Sequence, residues 1–166
     1  GTTKSVFDSW QMGGQVTTGE GMFVTGPGAN PAANGMDVSP LNNFSLKRYD
    51  GTNFVGVTDT RAQKISGTGP SATNFGLFAF VRGDRSTTGL FNQYVYNNTV
   101  LRDTGRVQIK AQTFNLTGGI NSYELIGNPY ASPVSISSFM ASSSNIDKYN
   151  VWVWDPNINS EQGGYV

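Results

Sequence analysis

Residues 106–112 read RVQIKAQ, and their apolar and polar side chains alternate with a period of two. Val107, Ile109 and Ala111 fall on one side of an extended chain, and the polar side chains fall on the other. The pattern predicts a β-strand with one solvated face. Turn signals rich in glycine recur on both sides of it, at residues 13–14, 26–28, 50–51, 67–70, 103–105, 118–119 and 163–164. Short strands separated by such turns are typical of an antiparallel sandwich or barrel.

A second strand is predicted at residues 149–154, where Trp152 and Trp154 share one face and Tyr149 lies on the other. Since both faces are apolar, we expect a central strand that is covered on both sides. The alternative is an edge strand that presents its tryptophans. Further strands are expected at residues 22–25, 44–49, 54–57, 74–81, 94–96, 99–102 and 123–126.

These elements together predict an all-β fold, a two-sheet β-sandwich of jelly-roll type with at most one short helix. The helix is expected at residues 134–141, after Ser132-Pro133. No shift in composition marks a boundary, so residues 1–166 are interpreted as one module. We expect it to be a piece of a larger chain, with Gly1 left by a cleavage.

Composition limits the function. Charged residues make up 13% of the 166 residues and the formal net charge is zero, which argues against a nucleic-acid partner. The sequence contains no histidine and no cysteine, so Ser–His–Asp, Cys–His and histidine-based zinc sites are excluded within it. No apolar run approaches the ~18 residues of a membrane span. We expect no cofactor, no catalytic residues and no membrane insertion.

Oxygen ligands leave two kinds of site open. A pair of carboxylates would suffice for glycoside hydrolysis, but the spacing of the acidic residues selects no pair. For calcium, the densest oxygen cluster is Asp155, Asn157 and Glu161, and a turn is the favoured interpretation over an ion site. The integrin tripeptide Arg82-Gly83-Asp84 directly follows an apolar strand, so a structural turn is favoured over a ligand.

Aromatic side chains are the remaining indication of a binding site. Trp152, Trp154, Trp10 and Tyr130 are the candidates for a platform on which sugar rings stack, with Tyr149 beside them. The competing interpretation is that large aromatic side chains fill a β core.

Several segments carry a family resemblance. Residues 123–134, YELIGNPYASPV, resemble a signature of the form LxGNPYPSPID that recurs in large secreted proteins of the Bacteroidetes type. Residues 151–157, VWVWDPN, and residues 80–86, FVRGDRS, are similar to further segments of that family. Ala131 departs from the pattern, since the family commonly has proline there.

The resemblance implies a bacterial extracellular protein, secreted or at the cell surface, of the kind exported by the type IX route. It implies no catalytic residues, and it makes Arg82-Gly83-Asp84 part of a structural segment. We interpret Gly127, Asn128, Pro129 and Tyr130 as a structural corner between strand and loop, in which the proline favours an extended Asn128 and the amide bonds to neighbouring backbone.

The expected function is that of a non-catalytic extracellular module, structural or adhesive, and not of an enzyme. Its partners would be a glycan, a surface protein or neighbouring modules of the same chain. The alternative is a carbohydrate-binding module accessory to a polysaccharide-degrading enzyme. A fragment of a glycoside hydrolase is a third interpretation.

Overall fold

The protein is represented by a computed structural model that describes residues 4–15, 21–40, 42–65, 76–85, 99–103, 107, 109–114, 116, 118–144, 146–161 and 163–166. The chain divides into two compact units, Gly1–Ala131 and Ser132–Val166. Within the described part of the chain, no helix has the length and apolar character that a membrane span requires.

The first unit begins with a short helix, α1 (Val6–Ser9), followed by a 3-10 helix, Met12–Gly14. A capping box starts α1: Asp8 N donates to Ser5 Oγ at 3.1 Å, and Ser5 N donates to Asp8 Oδ2 at 3.3 Å. Hydrogen bonding with the side chain and the backbone of Ser5 also lowers the pKa of Asp8. The cap fixes the direction in which the chain enters the core, because Val6 and Phe7 follow it directly and are buried.

A three-stranded antiparallel sheet forms the centre of this unit, with β1 (Leu46–Tyr49) between β2 (Phe54–Gly56) and β3 (Leu77–Ala79). The turn from β1 to β2 is local, since Asp50 Oδ1 accepts from Thr52 N at 2.9 Å and from Asn53 N at 2.7 Å. These backbone donors lower the pKa of Asp50. The strands predicted at residues 44–49 and 54–57 are therefore confirmed, with slightly shorter bounds.

One face of this sheet meets the hydrophobic core, which consists of Val6, Met22, Val24, Met36, Leu46 and Val57. Trp10, Ala29, Phe44, Ile65 and Leu77 are partly buried and pack against it. Residues 22–25 contribute Met22 and Val24 to the core, and their backbone pairs with other segments through two isolated bridges, Met22 with Asp84 and Thr25 with Asp37. The predicted strand at 22–25 is thus reduced to single bridges.

Gly56 allows the closest approach in the sheet, because a Cβ at this position would overlap the ring of Phe44. We expect Gly56→Ala to lower the free energy of unfolding by about 1–3 kcal/mol, since the ring must move off the strand. Urea denaturation with an unchanged m-value measures it. Gly119→Ala is the matched control, because a Cβ there meets nothing within 4 Å. Equal stability of the two variants would contradict the packing argument.

The second unit contains α2 (Ile136–Ser142), β4 (Trp154–Asp155), α3 (Ile158–Glu161) and β5 (Gly164–Tyr165). β4 and β5 pair antiparallel, and Val153 and Val166 extend the pairing through N–H···O bonds of 2.8 and 3.0 Å. Ser135 caps α2 by accepting from Ser138 N at 3.3 Å. The helix predicted at 134–141 is confirmed with a start two residues later.

Antiparallel sheet and few short helices are therefore present, as expected, but other details of the prediction are wrong. The strands expected at 99–102 and 123–126 are reduced to single bridge residues, Val100 and Ile126. The described residues contain three short α-helices and a 3-10 helix rather than at most one helix. The described residues of segment 106–112 form no strand, and Ile109 is 83% exposed. Segment 149–154 becomes a strand only at Trp154. The strand expected at 94–96 lies outside the described residues.

Candidate functional site

The strongest polar cluster of the first unit joins Asp37, Arg85 and Gln11. Arg85 donates to Asp37 Oδ1 from Nη2 at 2.6 Å and from Nε at 2.9 Å. Asp37 Oδ2 accepts from Val24 N at 3.0 Å and from Gln11 Nε2 at 3.1 Å. The side chains of Arg85 and Asp37 are only 9% and 6% exposed. Both carboxylate oxygens of Asp37 are therefore held by protein donors.

The electrostatics of this cluster are set by burial. Removal from water raises the pKa of Asp37, while the hydrogen bonds from Arg85, Val24 N–H and Gln11 act in the opposite direction. Arg85 Nη1 and Gln11 Oε1 are buried, and neither atom has a hydrogen-bond partner within the described part of the chain. Because each carboxylate oxygen of Asp37 already accepts from at least two N–H donors, the cluster is suited to hold four chain segments together rather than to bind a metal or transfer a proton.

The tripeptide Arg82-Gly83-Asp84 is built into the same region. Asp84 is fully buried and bridges Met22, and Gly83 O accepts from Phe23 N at 3.0 Å. An integrin ligand must present its aspartate on an exposed loop, and this one is enclosed. The structural interpretation of the tripeptide agrees with this geometry.

A shallow pocket of about 190 Å³ lies on the sheet face opposite to Leu46. Lys47 and Phe78 stand opposite each other in the β1–β3 register. The pocket is lined by Phe44, Ser45, Lys47, Phe78, Phe80 and Arg82. Sequence analysis did not identify it. The alternation of Leu46, Lys47, Arg48 and Tyr49 would have predicted two different faces, but not which aromatic residues of other strands join them.

The pocket continues into a row of aromatic rings. Phe54 lies 5.6 Å from Phe78 and 5.3 Å from Tyr49, measured between ring centroids. The guanidinium carbon of Arg82 lies 5.1 Å from the Phe80 centroid, within cation–π distance. Phe80 and Phe54 are both exposed. This outer face therefore combines apolar rings with positive charge.

The tryptophan segment, residues 149–154, belongs to the second unit. Trp152 is 49% exposed and Trp154 is 38% exposed, and Tyr149 is almost completely exposed. The expectation of a central strand covered on both faces is therefore wrong. Trp154 contacts Tyr165 edge to face, with centroids 5.1 Å apart and planes at 74°. The two rings do not form the coplanar pair that a flat sugar platform requires.

The other two aromatic candidates lie in the first unit and have structural contacts. Trp10 is half-buried against the core, and its carbonyl accepts from Met22 N at 2.6 Å. The Tyr130 hydroxyl donates to Lys110 O at 3.0 Å. In the corner Gly127–Tyr130, Asn128 Oδ1 accepts from Tyr130 N at 3.0 Å, a bond of the kind expected of that amide.

The calcium candidate takes the geometry of a turn. Asp155 Oδ1 accepts from Asn157 N at 2.8 Å and from Asn157 Nδ2 at 3.2 Å, so this carboxylate oxygen is already used. The side chain of Glu161 is outside the described part of the structure. Among the residues that are described, no group of three His, Cys, Asp or Glu side chains is placed to hold a metal ion.

Comparison with known proteins adds no relative: no family model, no curated protein and no solved structure matches the chain. The interpretation of the site rests on the geometry above.

Proposed function

We propose that the chain is a non-catalytic structural or adhesive module of a secreted or cell-surface bacterial protein, folded as a two-sheet β-sandwich of jelly-roll type. The observation that carries the proposal is the exposure of Trp152 and Trp154 on one short segment. Tryptophan is highly buried on average in folded proteins, and it is among the residues that dominate binding energy at protein interfaces.

The family resemblance of residues 80–86, 123–134 and 151–157 supports an extracellular location. The last of these segments includes Trp152 and Trp154, so the residues that carry the resemblance and the exposed aromatic rings coincide. Neighbouring modules of the same chain or a surface protein are the partners we propose for this segment.

Carbohydrate binding is the second candidate, and the same exposure of Trp152 and Trp154 favours it. Trp154 and Tyr165 meet edge to face, so they do not offer a flat surface on which a pyranose ring could stack. This geometry favours an irregular protein surface as the partner. The structural or adhesive function is therefore preferred.

Both candidate functions can be tested by measuring how many beads coated with the protein adhere to bacterial cells. We expect adhesion to fall about tenfold or more when Trp152 and Trp154 are both replaced by alanine, because hot-spot truncations cost about 2 kcal/mol or more. Protease treatment of the cells should abolish adhesion, and periodate oxidation of their glycans should leave it intact. Acrylamide quenching of the remaining Trp10 should then be weaker than that of the unaltered protein, since Trp10 is half-buried.

Ile120→Ala is the control for this experiment, because it removes an almost fully exposed apolar side chain from the first unit. Loss of adhesion after periodate alone would establish the carbohydrate-binding alternative. Adhesion that is the same for the double variant and Ile120→Ala would contradict a role of the tryptophan segment.

The non-catalytic assignment is tested at Asp103, an exposed residue whose carboxyl pKa is raised by partial desolvation. A raised carboxyl pKa is what a glycosidase requires of its general acid. We expect no release of reducing sugar from soluble polysaccharides by the unaltered protein. Turnover that Asp103→Asn abolishes would replace the proposed function with that of a glycoside hydrolase.

A further inference from the structure

The pocket on the outer face of the sheet is positively charged and its lining contains no carboxylate. It presents two cations, Lys47 and Arg82, beside the rings of Phe44, Phe78 and Phe80. Neither Lys47 nor Arg82 forms an ion pair with any residue that the structure describes. Arg82 Nε is buried, and no hydrogen-bond partner for it lies among the residues that the structure describes. A buried donor without an acceptor costs free energy, so an anionic group that reaches it would be favoured.

The size of the pocket selects what can enter. Sites for small molecules occupy about 300–1,000 Å³, and this pocket has about 190 Å³. The space suits one large side chain or one sugar ring of a larger partner. The neighbouring rings of Phe54 and Tyr49 extend the apolar surface beyond the pocket, so that the partner would continue along the sheet.

The polar groups of the lining distinguish a side chain from a sugar. A sugar ring presents several hydroxyls, which need acceptors as well as donors. The lining supplies the two cations and Ser45, whose buried hydroxyl already accepts from Thr25 N at 2.8 Å. No Asn, Gln, Asp or Glu side chain takes part. The apolar rings and the two cations of the lining are therefore complementary to an apolar side chain next to carboxylates.

We propose that this pocket is a docking site for an acidic peptide segment of a partner protein. A phenylalanine or similar side chain of the partner packs on Phe44, Phe78 and Phe80, and flanking carboxylates pair with Lys47 and Arg82. The site lies in the first unit and does not involve the tryptophan segment, so it goes beyond the adhesive surface proposed above and can fail independently of it.

The probe is a fluorescein-labelled peptide with a central phenylalanine and two glutamates on each side, titrated with the whole chain by fluorescence anisotropy. We expect saturable binding that Lys47→Glu weakens at least about tenfold, because an attractive charge becomes repulsive. Lys47→Gln should weaken it less. Arg48→Glu is the matched control: it makes the same charge change at the next residue, which is exposed and on the other face of the strand.

Three further results decide the proposal. Replacing the central phenylalanine of the peptide by alanine should also weaken binding, and a lysine-flanked peptide should bind Lys47→Glu better than the unaltered protein. Equal effects of Lys47→Glu and Arg48→Glu, or no binding of the acidic peptide, would overturn the proposal. Displacement of the peptide by oligogalacturonate at lower concentration than by unlabelled peptide would assign the pocket to an acidic glycan instead.

Discussion

Replacing Arg85 by methionine is expected to lower the free energy of unfolding by about 3–5 kcal/mol at pH 7, because it leaves the carboxylate of Asp37 buried without its partner. The remaining donors, Val24 N–H and Gln11 Nε2, solvate one oxygen but carry no charge. Urea denaturation of both proteins at pH 7 measures the difference.

The loss of unfolding free energy caused by Arg85→Met should become smaller as the pH falls from 7 towards 4. Burial already places the pKa of Asp37 above its ordinary value of 3.8 in the folded protein, and the loss of the guanidinium raises this pKa further. A carboxyl whose pKa is higher in the folded chain than in the unfolded chain loses stability as the pH rises through that window. Conversely, protonation at lower pH removes the unpaired charge.

Two further variants separate the charge from the packing. Arg48→Met removes an exposed arginine and should change stability by less than about 0.5 kcal/mol. Replacing Asp37 by leucine together with Arg85→Met should recover much of the stability, since neither buried charge then remains. A deficit of Arg85→Met that is the same at pH 4 and pH 7 would contradict the electrostatic explanation.

Local elements were predictable from the sequence where their signals are local. The β1–β2 hairpin forms where Asp50-Gly51 supplies both a side-chain acceptor and a residue at φ 98°. The start of α2 was displaced because Ser135, rather than Ser132, accepts from the third following backbone N–H. The helix α1 was missed, although its Ser5-x-x-Asp8 spacing is the sequence form of a capping box.

The strand predicted at residues 106–112 failed for a different reason. Alternation with a period of two indicates that a segment has two different faces. A strand also requires a partner for its backbone N–H and C=O groups. Within the described residues, Val107 and Ile109 lie exposed and outside any strand. The same distinction explains the tryptophan segment, in which two apolar faces predicted burial while the pairing with β5 begins only near its end.

Neither polar nor aromatic sites could be assembled from sequence spacing. Asp37 and Arg85 are 48 residues apart, and both are paired with the segment 21–25, through the bridges of Met22 with Asp84 and of Thr25 with Asp37. The pocket likewise takes its residues from two distant segments, 44–47 and 78–82. Its residues share one face because Lys47 is paired with Phe78 and with Gly56, and such a register is not visible before the strands are paired.

The central strand carries the second large effect, which we expect from Leu46→Ala. Leu46 is fully buried among Met22, Val24, Met36 and Val57, and its carbonyl accepts from Val57 N at 2.9 Å. The substitution should lower the free energy of unfolding by about 2–5 kcal/mol, because it removes buried methyl groups and leaves a cavity that a backbone paired on both sides cannot close.

Leu101→Ala makes the same chemical change at a side chain that is 58% exposed, and it should alter stability by less than about 0.5 kcal/mol. Urea denaturation of the two variants, compared at equal m-value, isolates burial from the loss of leucine as such. A Leu46→Ala protein that unfolds at the same urea concentration as Leu101→Ala would place the stabilising core elsewhere. If Leu46→Ala lowers the stability as expected, the buried inner face of β1 stabilises the same strand that presents Lys47 on its outer face.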